Sequence, residues 1–128
     1  MRSDELAQRF LETVLQRGDL DRSLFTADAT GWHNSDGVTA KLASAPDDAM
    51  KPLYVALKDV GPRQVRISSW DDGFVIQFVM EGELPDGKRF AAPSCVVCRV
   101  VDGKISTIEE YLDSRHYAGV AAAMAGAR

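Results

Sequence analysis

The stretch Asp102-Gly103-Lys104-Ile105-Ser106-Thr107-Ile108-Glu109-Glu110-Tyr111-Leu112-Asp113 carries the clearest fold signal in the sequence. Asp-Gly is the strongest short hairpin signal, and here it lies between two apolar, β-branched runs. The stretch therefore predicts a tight turn followed by a strand that ends near Asp113. A carboxylate at the end of a half-buried strand can act as an acid or base in a pocket. It can equally cap a following helix, so both interpretations of Asp113 are open.

The same kind of pattern extends upstream of this turn. Apolar and polar residues alternate from Arg63 onward, and most clearly from Phe74 to Glu81. Further turns are predicted at residues 71–73 and 85–87, and they leave residues 89–101 as one long strand. The second half of the chain is therefore predicted to be a four-stranded antiparallel meander.

The N-terminal segment has the period of a helix. Apolar residues recur at intervals of three and four from Leu6 to Leu15, after an N-cap predicted at Ser3. Gly18 is predicted to end this helix. We therefore expect an amphipathic helix with one buried face.

The segment between this helix and the meander is predicted to mix helix and strand. A short helical piece is predicted over residues 19–25, and brief strands over residues 29–34 and 38–42. A third helix is predicted from the start signature at residues 44–48 to Gly61-Pro62, with Pro52 near its first turns or at a kink. This order of elements indicates an α+β fold, with helices covering one face of a curved sheet.

Length and charge limit the classes of protein that fit. The chain has 128 residues, which predicts a single domain over residues 1–128. A net charge of -4, without a Lys/Arg stripe, argues against a nucleic-acid or anionic membrane partner. No apolar run approaches the ~18 residues that span a bilayer, and the N-terminus is polar. We therefore expect a cytoplasmic protein.

The two cysteines have the spacing Cys-x-x-Cys, but they lie within a predicted strand. Positions i and i+3 of a strand face opposite sides, so Cys95 and Cys98 cannot converge on a metal ion or a disulfide. They are predicted to be packing residues. The sequence contains neither a metal-spaced His/Asp cluster nor a Gly-rich phosphate loop, so no metal and no cofactor are expected.

The order of elements resembles the nuclear transport factor 2-like superfamily, and within it the SnoaL-like polyketide cyclase and ketosteroid isomerase-like branch. The motifs that carry the resemblance span nearly the whole chain. They are Arg9-Phe10-Leu11-Glu12 with Gly18-Asp19-Leu20, Ala27-Asp28-Ala29-Thr30 with Trp32-His33-Asn34, Glu81-Gly82 with Asp86-Gly87, and Asp102-Gly103-Lys104-Ile105 with Tyr111-Leu112-Asp113. The resemblance implies a cone-shaped fold in which N-terminal helices and a curved, mostly antiparallel sheet enclose a pocket.

The resemblance also implies positions for catalytic groups. In ketosteroid isomerases a catalytic Asp follows the Asp-Ala-Thr segment, and His33 lies at about that place. Phe10 stands where those enzymes have a Tyr donor, and Cys95 or a near neighbour stands where they have a donor acid, so steroid isomerisation is not expected. In SnoaL-like cyclases an Asp on the last strand works as acid or base, and Asp113 matches it. The strand that carries their partner His offers only Cys98 and Arg99.

His33 is the sharpest single candidate for catalysis. Free imidazole has a pKa of ~6.5, so a small change of environment makes it an acid or a base at neutral pH. Strand alternation places Trp32 and Asn34 on one side and His33 on the other, so the three cannot all line one cavity. His33 is therefore either catalytic or structural, and Trp32 and Asn34 are candidate ligand-binding residues.

Asp113 shares its strand parity with Tyr111 and Glu109. If that face is concave, an acid and a phenol lie on one cavity wall, and desolvation raises the pKa of the carboxyl group. The alternative is that Asp113 caps a helix predicted over residues 114–124. A contact between His33 and Asp113 would be the strongest indication of catalysis.

Three further side chains complete the set of candidates. Arg99 and Arg89 can bind a carboxylate or carbonyl oxygen, or they can pair with glutamates across the sheet. Tyr54, on the third helix, either donates a hydrogen bond into the cavity or packs with its hydroxyl at the rim.

Two functions fit this sequence. The first is a cofactor-free enzyme of the cyclase, isomerase or dehydratase kind, in which His33 and Asp113 exchange protons with a small apolar or carbonyl-bearing ligand. Trp32, Asn34, Tyr54, Arg99 and Tyr111 would bind that ligand. The second is a non-catalytic ligand-binding or dimerisation module with the same cavity. Because the alternating strands leave a second apolar face, a homodimer is expected.

Overall fold

The computed structural model describes residues 1–126 as a six-stranded sheet with helices packed on one face. The strands are β1 (Phe25–His33), β2 (Thr39–Lys41), β3 (Lys58–Trp70), β4 (Gly73–Glu83), β5 (Arg89–Val101) and β6 (Lys104–Leu112). The helices are α1 (Ser3–Phe10), α2 (Lys51–Ala56) and α3 (Ala118–Gly126). A π-helical segment, Leu11–Leu15, continues α1. Short 3-10 segments lie at Arg22–Leu24, Leu42–Ser44 and Ser114–Tyr117.

The sheet has the strand order β2-β1-β6-β5-β4-β3. Strands β3 to β6 form the predicted antiparallel meander, and β1 pairs with β6 in parallel. Asp102 and Gly103 both have positive φ angles, 51° and 75°. That geometry is required of the two central residues of a type I′ hairpin turn, so the opening prediction is confirmed. The parallel pairing then sets the end of β6 beside the end of β1.

The core lies between the sheet and the helices. Residues Phe74, Ile76, Phe78 and Met80 of β4 are buried, and their neighbours at the alternate positions face the other side. The ring of Phe10 in α1 packs against Phe25 and Phe74. We call the covered side of the sheet the inner face and the opposite side the outer face. The predicted amphipathic helix and the predicted inner face of β4 are both confirmed.

The two cysteines of β5 lie on opposite faces, as predicted. Cys98 is buried beside Phe74 and Ile108 on the inner face. Cys95 is half-buried on the outer face, where it is paired with Gln77 and Tyr111. Both thiols are free.

Several boundaries predicted in the first half of the chain are wrong. Strand β1 begins at Phe25 rather than at residue 29, because this part of the chain pairs with β6. Of the helical piece predicted over residues 19–25, only the 3-10 segment Arg22–Leu24 is helical. Helix α2 spans only six residues, with Pro52 in its first turn, and Lys58 already pairs with Glu83 of β4. The N-cap of α1 is Arg2, because the Ser3 hydroxyl donates to the carbonyl oxygen of Asp71 instead.

Among residues 1–126, no helix has both the length and the apolar character needed to cross a bilayer.

Candidate functional site

Strand β6 presents a carboxylate to the inner face of the sheet. Glu110 pairs with Val96 of β5, which in turn pairs with Ile76 of β4, and both of these neighbours are buried core residues. Only about 25% of the Glu110 side chain is exposed. An acid beside buried apolar residues of the next two strands is unusual, because charged side chains are rarely buried without a partner.

The partner of Glu110 is His33. The parallel pairing of β1 with β6 sets His33 opposite Glu110, and Nε2 of His33 lies 3.5 Å from Oε1 of Glu110. His33 is about half-exposed. The two side chains therefore meet where the inner face opens to solvent, with the carboxylate on the protected side and the imidazole on the open side.

Asn34 forms hydrogen bonds that join the ends of β1 and β6, the two strands that carry this pair. Its backbone N–H donates to the carbonyl oxygen of Glu110 at 3.0 Å, and its side-chain oxygen accepts from the N–H of Leu112 at 2.9 Å. These two bonds continue the β1–β6 pairing for one residue beyond β1. Asn34 therefore fixes the position of His33 relative to Glu110.

Burial governs the electrostatics of the pair. Desolvation raises the pKa of Glu110 above its ordinary value of 4.5, and the positive charge of protonated His33 opposes this shift. A carboxyl group with a raised pKa is better suited to exchange protons near neutral pH than an ordinary surface glutamate.

Two tyrosines lie near Glu110. Burial, with smaller contributions from the charges of Tyr117 and Glu110, raises the pKa of Tyr54 to about 12. Burial also raises the pKa of Tyr117, with a smaller contribution from Glu110, while the hydroxyl of Ser94 opposes the shift. Both phenols therefore stay protonated at neutral pH and remain hydrogen-bond donors.

The two phenols are held differently. The hydroxyl of Tyr54 donates to the carbonyl oxygens of Leu15 and Val14, which lie in the π-helical segment after α1. A Cβ atom on Gly18 would lie 2.5 Å from the Tyr54 ring, so the glycine lets the ring pack there. The Tyr54 hydroxyl therefore links α2 to the π-helical segment that continues α1. Tyr117 packs its ring against Phe90 with centroids 5.1 Å apart.

The structure places Asp113 just beyond β6, where it serves as a cap. Its side chain accepts the N–H of Arg115 at 3.0 Å and forms an ion pair with the Arg115 guanidinium at 2.7 Å. The hydrogen bonds from Arg115 hold the pKa of Asp113 at about 2. The capping interpretation is therefore confirmed. Asp113 is paired with Arg115, whereas His33 is paired with Glu110.

The remaining predicted residues do not converge on His33. Trp32 and Tyr111 lie on the outer face, with ring centroids 5.4 Å apart, and the Tyr111 hydroxyl donates to Glu109 at 3.0 Å. Arg99 is also on the outer face, beside Thr107. Arg89 lies 3.7 Å from Asp59 and 3.8 Å from Glu81, which is the predicted pairing with acids.

The outer face carries a cleft of about 740 Å³. Its lining includes Asn34, Gln77, Cys95, Tyr111 and Asp113. Three of the predicted site residues therefore share a cleft, but His33 and Glu110 do not line it. The part of the chain that the structure describes contains no group of three or more His, Cys, Asp or Glu side chains arranged to hold a metal ion.

Glu110 and Tyr117 are not among the site residues that the sequence predicts. The signal for Glu110 was present, because Ile108 and Leu112 share its strand parity and mark the core side of β6. The Tyr111–Asp113 parity instead marks the outer face. For Tyr117 there was no such signal, since its position depends on the 3-10 turn that Asp113 caps.

Comparison with known proteins finds similarity in structure alone. No protein-family model matches the chain, and no curated protein matches its sequence. A candidate polyketide cyclase from Xanthomonas campestris pv. campestris has a TM-score of 0.73 at 19% identity, covering 91% of this chain and 93% of that one. An NTF2-like protein from Anabaena variabilis has a TM-score of 0.69 at 19% identity, covering 88% and 90%.

A third solved structure includes a ligand. A hypothetical protein with a ketosteroid isomerase-like fold from Catenulispora acidiphila, in complex with trimethylamine, has a TM-score of 0.66 at 17% identity. The alignment covers 85% of each chain. Together with the mixed sheet and its helices on one face, these similarities show that the chain has the α+β fold of the ketosteroid isomerase-like and NTF2-like structures, as the resemblance of its sequence implied.

Proposed function

We propose that the protein is a cofactor-independent enzyme that moves a proton on a small, carbonyl-bearing ligand, with Glu110 and His33 as its acid–base pair. The observation that carries this proposal is the placement of Glu110 on the inner face, 3.5 Å from His33 and largely removed from solvent. Isomerisation, ring closure and dehydration next to a carbonyl group all begin with such a proton transfer. The solved structures of this fold named as candidate cyclases support the class of reaction.

The chemistry assigns each group one task. The Glu110 carboxylate takes a proton from the carbon next to the carbonyl; the C–H electron pair forms the enolate, and the charge moves to oxygen. Desolvation makes this carboxylate a stronger base than one in water. His33 receives or returns the proton at the solvent side. The phenol of Tyr117, which its raised pKa keeps protonated, donates a hydrogen bond to the developing negative charge.

Exchange of carbon-bound hydrogen for deuterium tests the proposal without knowledge of the natural substrate. Benzoylacetone in D2O serves as the probe, and loss of its α-proton signal is followed by NMR. We expect the protein to accelerate exchange, and Glu110→Gln to reduce the acceleration about 10²-fold or more, since a positioned base contributes ~10²–10⁴-fold. His33→Gln is expected to reduce it less, because the carboxylate remains.

Asp113→Asn is the matched control, and it also tests the other carboxylate suggested by the sequence. Asp113 is bound by Arg115 and has a low pKa, so its replacement should leave the exchange rate unchanged. If Asp113→Asn abolished exchange while Glu110→Gln did not, the roles would be reversed. Equal exchange in all variants would contradict enzymatic proton transfer at this site.

The second candidate is a non-catalytic binding module. It is favoured by the outer cleft of about 740 Å³, which is large enough for a small organic ligand and does not include the acid–base pair. The trimethylamine complex of the Catenulispora protein supports ligand binding by this fold. A homodimer remains a prediction under either function.

A further inference from the structure

An aromatic and acidic cleft lies on the outer face, where β1 meets β6. It has a volume of about 460 Å³. Its lining contains two aromatic rings, one carboxylate, one isoleucine and three threonines: Trp32, Tyr111, Glu109, Ile108, Thr30, Thr39 and Thr107. It is separate from the Glu110–His33 pair, which lies on the inner face.

The three defining side chains are held together by the sheet register. Glu109 is directly opposite Trp32 in the parallel β1–β6 pairing, and Tyr111 lies two residues further along β6. The Trp32 and Tyr111 rings meet at an interplanar angle of 62°, with centroids 5.4 Å apart. Two rings at such an angle present one face and one edge to the same space, beside the carboxylate.

The charge of this cleft favours a cation. Glu109 is its one charged lining residue, and within residues 1–126 no Lys, Arg or His nitrogen lies within 4.0 Å of the Glu109 carboxylate. The Tyr111 hydroxyl donates to Glu109, which raises the pKa of Tyr111 and enriches its ring in electron density. Aromatic faces attract cations, most strongly those that are weakly hydrated.

We propose that the Trp32–Tyr111–Glu109 cleft binds a small methylated ammonium compound. A metal ion would need more than one carboxylate, and a primary ammonium group would need several fixed acceptors. A methylated ammonium needs only π-electron density and one negative charge, which this cleft supplies. Such a site is independent of proton transfer at Glu110, so either proposal can fail without the other.

Choline is the probe, and its neutral analogue 3,3-dimethyl-1-butanol has the same shape without the charge. Binding is followed through the indole N–H signal of Trp32 in 15N-labelled protein at constant ionic strength; Trp32→Phe assigns that signal. We expect choline to shift it in a saturable way and the neutral alcohol to leave it unchanged. Tyr111→Leu should weaken binding about two- to fivefold, as the loss of one exposed cation–π contact implies.

The variants are chosen to keep the fold intact. Glu109→Gln retains an acceptor for the Tyr111 hydroxyl and removes the charge, and it is expected to weaken choline binding to a similar extent. Val55→Ala, on the exposed side of α2, is the control and should leave choline binding unchanged. Three results would each overturn the proposal. Choline and the alcohol could shift the Trp32 signal equally, or Glu109→Gln could leave the affinity for choline unchanged. The Trp32 signal could also fail to respond because a second copy covers the cleft.

Discussion

At the scale of the residue, the burial that suits Glu110 to proton transfer also lowers the free energy of unfolding when its carboxylate is charged. Its raised pKa means that the native state binds more protons than the unfolded state between pH 4.5 and the raised value. The free energy of unfolding therefore falls as pH rises through that window, and the full penalty is present above it. Replacing the carboxylate by an uncharged amide of nearly the same shape should remove the penalty.

We therefore predict that Glu110→Gln is more thermostable than the wild type at pH 8 and nearly equal to it at pH 4. In a domain of this size a gain of about 1 kcal/mol raises Tm by roughly 4 °C. Thermal unfolding at the two pH values measures the effect, and Glu109→Gln on the outer face is the control. A Tm difference that stays constant between pH 4 and pH 8 would show that Glu110 titrates normally.

At the scale of the element, the strands were easier to predict than the helices. The bounds of β5, residues 89–101, follow from turns on both sides and from alternation between them. Helix α2 and strand β1 depend on partners distant in sequence: Lys58 joins β4, and Phe25 joins β6. Gly61-Pro62 does not end a helix, as its composition predicts, but lies within β3, an edge strand where a missing N–H is tolerated.

Strand β5 also allows a direct test of which face is the core. Cys98→Ser places a hydroxyl in the buried inner face, where it lacks a designed partner, and is expected to lower the free energy of unfolding by about 1–3 kcal/mol. Cys95→Ser is its matched control on the half-buried outer face, with an expected change within about 0.5 kcal/mol. Urea denaturation measures both; similar losses in the two variants would contradict the assignment of faces.

At the scale of the whole molecule, the candidate site was less predictable than the fold. The fold follows from hydrophobic periods and turns that repeat along the chain. The acid–base pair depends on which parity of β6 faces the helices and on the parallel return of β1, which brings His33 beside Glu110. Neither can be inferred from the residues around Asp113. The sequence therefore favoured Asp113, the acid at the end of the strand, over Glu110.

The last prediction, a homodimer, depends on apolar side chains of the outer face. Val75 and Val79 of β4 are only half-buried there, with Val97 of β5 beside Val75. A second copy that covers these valines would remove apolar surface from water. The cleft at Trp32 adjoins them, because Glu109 is the cross-strand neighbour of Val97. We predict a solution mass near twice the 14.0 kDa of one chain.

Light scattering coupled to size exclusion measures this mass. Val75→Lys/Val79→Lys introduces two charges into the strip and should reduce the mass to that of one chain, because a desolvated lysine pair opposes association. Gln8→Lys/Gln16→Lys adds the same charge on the exposed side of the N-terminal helical segment and should leave the mass unchanged. A wild-type protein of single-chain mass at every concentration would contradict the homodimer, and it would leave the outer face free for small ligands.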